Sequence, residues 1–304
     1  MDTQSLLEEI ALEARGLLGG GRVADYIPEL ARVDPDRFGM ALCRPDGEQC
    51  SAGDAEVPFS IQSISKVFTL TLALQIAGDK LWQRIGREPS GSAFNSLVQL
   101  EQEQGIPRNP FINAGALVVT DVIGSRLRDA RGKLLEFMRG LCGNDGINFD
   151  EAVAQSEQST GHRNAALAHF LRSFGNLENA PETVLDAYFH QCALAMSCID
   201  VARAGLFLAN GGVLPSTGER VIPAPMTKRI NALMQVCGTY DSAGDFAYRV
   251  GLPAKSGVGG GILAVLPGHF SLCVWSPELD ASGNSLAGTR ALELFTMRTG
   301  LSVF

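Results

Sequence analysis

The stretch "FSIQSISKVFTLTLALQIAG", Phe59 to Gly78, puts a serine and a lysine three residues apart at the entrance of an apolar segment. On a helix, Ser63 and Lys66 share one face. Val67, Leu70 and Leu74 fall near that face while Phe68 and Leu72 turn toward another, which predicts a helix buried around much of its circumference. A lysine placed there loses hydration, its pKa falls, and the neutral amine can take a proton from a neighbouring hydroxyl. The first turn of such a helix also offers unpaired N–H groups suited to an oxyanion. The competing reading is a first-turn serine beside a lysine whose head reaches water, and a bare S-x-x-K arises by chance about once in a chain of this length.

A later motif shifts that balance. "AKSGVGGG" holds Lys255, Ser256 and Gly257 directly before a strand-like run. Enzymes that use S-x-x-K carry a K-[ST]-G element as well, and by chance the tripeptide is expected in only about one such chain in seven. Small residues there let backbone approach a substrate closely, and an N–H just beyond can be the second oxyanion donor. The S-D-N element and an E-x-x-L-N deacylation signature are both missing, which tells against a β-lactamase. His162, His169, His190 and His269 form no metal-binding spacing and read as surface or satisfied core residues.

The rest of the chain frames these motifs. With 304 residues, 45% of them hydrophobic and 19% charged, the sequence suits a well-packed globular enzyme and excludes a disordered chain. A formal net charge of −8 and the lack of a Lys/Arg run argue against nucleic acid as a partner. Seven scattered cysteines with no C-x-x-C pair point to reduced thiols in a cytoplasmic protein. The opening residues 1–21 carry acidic residues where a signal peptide would be basic, and Leu6, Leu7, Ile10, Ala14, Leu17 and Leu18 predict an amphipathic helix stopped by glycines. Apolar runs such as "FTLTLALQIAG" fall short of the ~20 residues a membrane span needs.

Residues 37–60 predict a hairpin around Pro45-Asp46-Gly47. From Gly78 to about Cys237 the periodicity is mainly helical, in residues 111–130, 164–175, 182–196 and 198–212, and reads as an all-helical insertion. Residues 247–277 then turn β-rich, with a Pro267-Gly268 turn between two apolar runs, before a closing helix from about Ser285 to Arg298. Strands near both ends predict one sheet built from both.

In this setting the chain resembles the serine-dependent glutaminases, which share the β-lactamase and penicillin-binding fold. The resemblance covers nearly the whole chain and rests on ordered segments: "GRVADYIPELA", "VPFSIQSISKVF", "NPFINAGALV", "SEQSTGHRNAALAHF", "DAYFHQCALAM" and "CGTYDSAGDFAYRVGLPAKSGVGGGI". It implies an α/β fold of the α+β type, a mostly antiparallel sheet flanked by helices plus an all-helical subdomain. One domain over 1–304 would have a sheet-containing part at about 1–65 and 238–304 and a helical part at about 66–237.

By position, the resemblance places the nucleophile on Ser63 and its activating base on Lys66. Tyr26 and Tyr240 match tyrosines lining the reaction centre, Tyr240 as a proton relay. Gln62, Asn113, Glu157, Asn164 and Tyr188 match residues that hold the amino-acid substrate, and Val258 a backbone N–H of the oxyanion hole. The implied activity is hydrolysis of L-glutamine to L-glutamate and ammonia, with no metal or organic cofactor, in a homo-oligomer, dimer or tetramer, that contacts neither nucleic acid nor membrane. Taken singly, Glu157 would be a solvated helix charge, Asn113 a helix cap and each tyrosine a half-buried core ring. The alternatives are a non-catalytic amino-acid sensor or a penicillin-interacting acyl enzyme on the same scaffold.

Overall fold

The computed structural model describes residues 2–304; Met1, which the expected sheet-containing part includes, lies outside the described residues. A five-stranded antiparallel sheet forms the frame, in the order Gln49–Gly53, Gly39–Cys43, Phe270–Trp275, Gly261–Leu266, Ala254–Ser256. The first two strands are the expected hairpin. Arg44 N–H donates to the Glu48 carbonyl at 2.9 Å across the turn, and Gly47 there has φ +97°, a left-handed conformation that favours glycine. The hairpin then pairs with a strand from the far end of the sequence, Gly39 opposite Trp275 and Cys43 opposite Ser271, so both ends build one sheet as expected.

Both faces of this sheet are covered, which explains why its three central strands read as continuous, mainly apolar runs without alternation. Met40, Leu42, Ile262, Phe270 and Leu272 pack under the helices Thr3–Arg15 and Leu286–Thr299, against Leu7, Ile10 and Phe295. Ala41, Cys43, Leu263, Val265 and Cys273 face the other way, into the larger core of the helical lobe. The first helix begins on the Asp2 cap, whose carboxylate accepts from Ser5 N–H, and it buries Leu6, Leu7, Ile10 and Ala14 as its periodicity predicts. The closing helix starts at Leu286 on a Ser285 cap.

At the centre of the helical lobe lies the helix Ser65–Ala77, whose residues Ser65 through Leu74 are all buried. It packs on the helix Asn113–Gly124, which is apolar on most of its faces in turn. The expectation that residues 78–237 are all helix needs one correction. Strands Asn148–Phe149 and Leu194–Met196 pair with Phe59–Ser60 into a three-stranded sheet, and the helix expected over 182–196 ends at Cys192. Strands of two or three residues are too short to show a two-residue period, and Ala, Leu and Met continue a helical pattern just as well.

All seven cysteines are free and buried. No helix among the described residues is long and apolar enough to cross a membrane.

Candidate active site

The small sheet delivers Ser63. After the strand Phe59–Ser60, Ile61 N–H donates to the Leu194 carbonyl, and the chain makes a 3₁₀ turn over Gln62–Ile64 before the helix begins at Ser65. Ser63 thus sits in that turn and not within the α-helix the motif suggested. Ile64 and Ser65 keep right-handed helical angles, so Ser63 and Lys66 remain one turn apart. Gln62 has φ +48° and Tyr240 φ +53°, both unusual for residues with a Cβ, and both flank the serine.

Lys66 is 1% exposed. Its ammonium donates to the Phe111 carbonyl at 3.2 Å and to Asn113 Oδ1 at 2.7 Å. Burial pushes its pKa down to about 8, with Cys192 and Glu157 acting the other way. Asn113 opens its helix, so its side chain points into the lobe's interior, where Nδ2 donates to Asn164 Oδ1 at 2.9 Å. Each of these two amides keeps N–H capacity for a further acceptor.

Glu157 lies on the helix Glu151–Thr160 and is 4% exposed. Burial raises its pKa above the ordinary carboxylate value, while hydrogen bonds from Tyr26 and Gln62 and the Lys66 charge pull it back. Tyr26 is 52% exposed as a residue, yet its hydroxyl reaches inward to Glu157 Oε1 at 3.2 Å and Gln62 Oε1 at 3.3 Å. Tyr188, on the helix Pro181–Cys192, is buried, and burial raises its hydroxyl pKa well above the usual value.

The edge strand Ala254–Ser256 closes the site from the sheet side. A Cβ on Gly257 would meet the Ile61 carbonyl at 2.6 Å and Ser63 N at 3.2 Å, so only glycine lets this turn approach the Ser63 backbone. Val258 follows, in the turn and not in the strand. The buried Tyr240 hydroxyl faces Ser63, Ser256 and the Val258 N–H, with no partner at full hydrogen-bonding geometry among the described residues. Burial raises its pKa, so the phenol stays protonated at neutral pH. Lys255 is fully buried; its ammonium donates to the Gly238 and Ser256 carbonyls at 2.8 and 2.6 Å and lies 4.6 Å from the Tyr240 ring centroid.

These residues surround a cavity of about 360 Å³ lined by Tyr26, Gln62, Ser63, Asn113, Glu157, Asn164, Tyr188 and Val258. Lys66 and Tyr240 lie behind its wall. Seven further lining residues escaped the sequence reading: Ile27, Phe94, Asn95, Thr160, Gly161, Arg163 and Cys192. Phe94 packs on Tyr240 at 5.0 Å between centroids, and its carbonyl accepts from Asn113 N–H at 2.9 Å. It lies in the irregular stretch 87–96, where no period or motif marks it. None of the four histidines lines the cavity.

A helical lobe set on an antiparallel sheet, with a Ser-x-x-Lys turn at their junction and a Lys-Ser-Gly edge strand beside it, defines a hydrolase of the β-lactamase-like fold. The profile of the glutaminase family matches residues 21–304. Glutaminases of Ralstonia nicotianae and Paraburkholderia phytofirmans are 62% and 60% identical, each over 100% of both chains. Among solved structures, a probable glutaminase ybaS superposes with TM-score 0.93 at 39% identity, covering 100% of this chain and 99% of that one. A probable glutaminase from Bacillus subtilis, complexed with 6-diazo-5-oxo-L-norleucine, gives 0.91 at 34%, covering 100% and 97%. The chain belongs to the glutaminase family and is an amidohydrolase.

Proposed function

We propose that this protein hydrolyses L-glutamine to L-glutamate and ammonia through a γ-glutamyl ester on Ser63. The observation carrying this reading is the single cavity in which Ser63, a buried carboxylate and a set of neutral amide and phenol donors converge. Glutamine presents an ammonium, a carboxylate and an amide. Glu157 supplies the one buried charge suited to the ammonium, and Asn113, Asn164 and Tyr188 can donate to the carboxylate. A site built this way rejects ligands lacking either charged end, because its own polar groups are left unpaired.

Lys66, with a pKa of about 8, is neutral in about a tenth of molecules at pH 7, and that amine takes the Ser63 proton as the hydroxyl attacks the amide carbon. Tyr240, held protonated, suits the relay that passes a proton toward the leaving ammonia. The N–H groups of Ser63 and Val258 hold the tetrahedral oxyanion. Water then cleaves the ester by the reverse relay. Gln62 and Tyr26 steady Glu157. The sheet-containing part, about 1–65 and 238–304, and the helical part, about 66–237, act as halves of one catalytic unit in a cytoplasmic homo-oligomer.

That the Bacillus subtilis relative is complexed with a glutamine analogue supports this choice of substrate. Steady-state hydrolysis tests it, read as ammonia release for glutamine and asparagine and as the absorbance change on ring opening for a chromogenic β-lactam. Glutamine is expected to turn over best, and Ser63→Ala to lose activity by about 10⁴-fold or more with the fold retained. Wild-type turnover in Ser63→Ala rules out the covalent route, and inactivity of the wild type on glutamine rules out the substrate.

A further inference from the structure

Ser60 stands outside the cavity wall, two residues before the strained Gln62–Ser63 turn, yet its hydroxyl is committed in a way that constrains the site. Ser60 Oγ donates to the Cys192 carbonyl at 2.9 Å and lies 3.0 Å from Gln62 Nε2. A serine hydroxyl has one proton. With that proton on the Cys192 carbonyl, an acceptor only, Ser60 Oγ can receive a hydrogen bond but cannot give another. The atom of Gln62 facing it must therefore be the NH₂ group. The amide oxygen is then turned to the Tyr26 hydroxyl at 3.3 Å, whose single proton it shares with Glu157 Oε1 at 3.2 Å, and the second amide proton is left for Glu157. In the flipped amide, the oxygen would stand against the Glu157 carboxylate, acceptor against acceptor.

From this geometry we infer that Ser60 is a positioning residue, whose hydroxyl fixes the orientation of the Gln62 amide so that Gln62 donates to Glu157. Ser60 is itself held by the backbone. It pairs with Ala195 in the small sheet, and a Cβ on Gly259 would meet its carbonyl at 2.4 Å, so the glycine turn presses on it from the other side. Gln62, 2% exposed and at φ +48°, has little freedom apart from the flip of its amide. The hydroxyl of one half-buried serine thus selects between a donor and an acceptor next to the only buried carboxylate of the cavity. The inference rests on the reading of Glu157 as the partner of the substrate ammonium.

Ser60→Ala removes the acceptor and frees the amide to flip; Ser60→Thr restores a hydroxyl. For Ser60→Ala, KM for glutamine is expected to rise about tenfold with kcat within about twofold, and Ser60→Thr to stay near wild type. Purely structural damage would lower kcat and the melting temperature without a pH signature. The second readout is therefore the acid limb of kcat/KM. Glu157 must be ionised to hold an ammonium, so activity falls as pH drops through its pKa, and loss of the Gln62 donor moves that limb to higher pH in Ser60→Ala alone. The groups facing Glu157 are Lys66, Tyr26, Tyr188 and Cys192, with Arg163 on the cavity lining, and all are unchanged by the substitution. A Ser60→Ala enzyme with wild-type KM and an unmoved acid limb overturns the inference and leaves the glutaminase reading intact. If Glu157→Gln also binds glutamine normally, the reading beneath it fails instead.

Discussion

Replacing Lys66 with methionine separates what the fold needs from what the chemistry needs. Lys66 is buried, and its pKa of about 8 in the folded protein lies below the ordinary 10.5. A lysine whose folded pKa is depressed binds fewer protons folded than unfolded, so its charge weighs against folding at pH below about 8. That penalty fades as pH rises from about 8 toward 10.5. At 1.36 kcal/mol per unit the full penalty is about 3 kcal/mol at pH 7, falling to about 1.4 kcal/mol at pH 9.5. Met fills similar space without the charge but leaves the Phe111 carbonyl and Asn113 Oδ1 without their donor, an offset of roughly 1–3 kcal/mol that does not vary with pH. The diagnostic quantity is therefore a slope. Urea unfolding of both proteins at pH 7 and 9.5 should show the advantage of Lys66→Met shrinking by about 2 kcal/mol between the two. Lys255 is present in both and, its coupling to Lys66 apart, cancels in the difference. Glutaminase activity of the variant should vanish at every pH, while wild-type kcat/KM should climb as Lys66 deprotonates near pH 8. A stability difference that stays flat to within about 0.5 kcal/mol, or a wild-type rate with no limb near pH 8, refutes the reasoning.

Two further outcomes test the sheet side of the site. Gly257→Ala forces a methyl against the Ile61 carbonyl and Ser63 N, so kcat should fall by about 10²-fold and the melting temperature should drop with it, measured by ammonia release and thermal unfolding. Tyr240→Phe removes a hydroxyl that faces Ser63 but leaves the ring packed on Phe94; kcat should fall by about 10²–10⁴-fold with KM for glutamine little changed.

Much of the frame was legible because its signals are local or periodic. The turn at Pro45-Asp46-Gly47, the amphipathic first helix and the closing helix after Ser285 appear where turn chemistry, spacing and capping put them. The strands Asn148–Phe149 and Leu194–Met196 were invisible because two or three residues carry no period, and the second of them, which pairs with the first, finds its other partner at Phe59–Ser60, far away in sequence. The site divides the same way. Ser63 and Lys66 declare themselves by spacing, and Lys255-Ser256-Gly257 by its place before a strand. Glu157, Asn164 and Tyr188 have ordinary helical surroundings, and only the ordered resemblance to the glutaminases singled them out. Nothing singled out Phe94, because its part in the site depends on where an irregular segment lies against Tyr240. Ser60 was passed over because its significance is the direction of a proton, which a one-dimensional string does not record.

The pairing of Gly39–Cys43 with Phe270–Trp275 has a consequence for how the molecule comes into being. During synthesis Ser63 leaves the ribosome well before the segment that presents Gly257 and Val258 and the strand that locks the hairpin in place. An emerging chain can collapse its helices, whose contacts are local, yet it holds half a sheet with an open edge until Phe270–Trp275 emerges. Hydrolytic competence should therefore switch on in one late step, and truncated nascent chains should bind chaperones rather than glutamine.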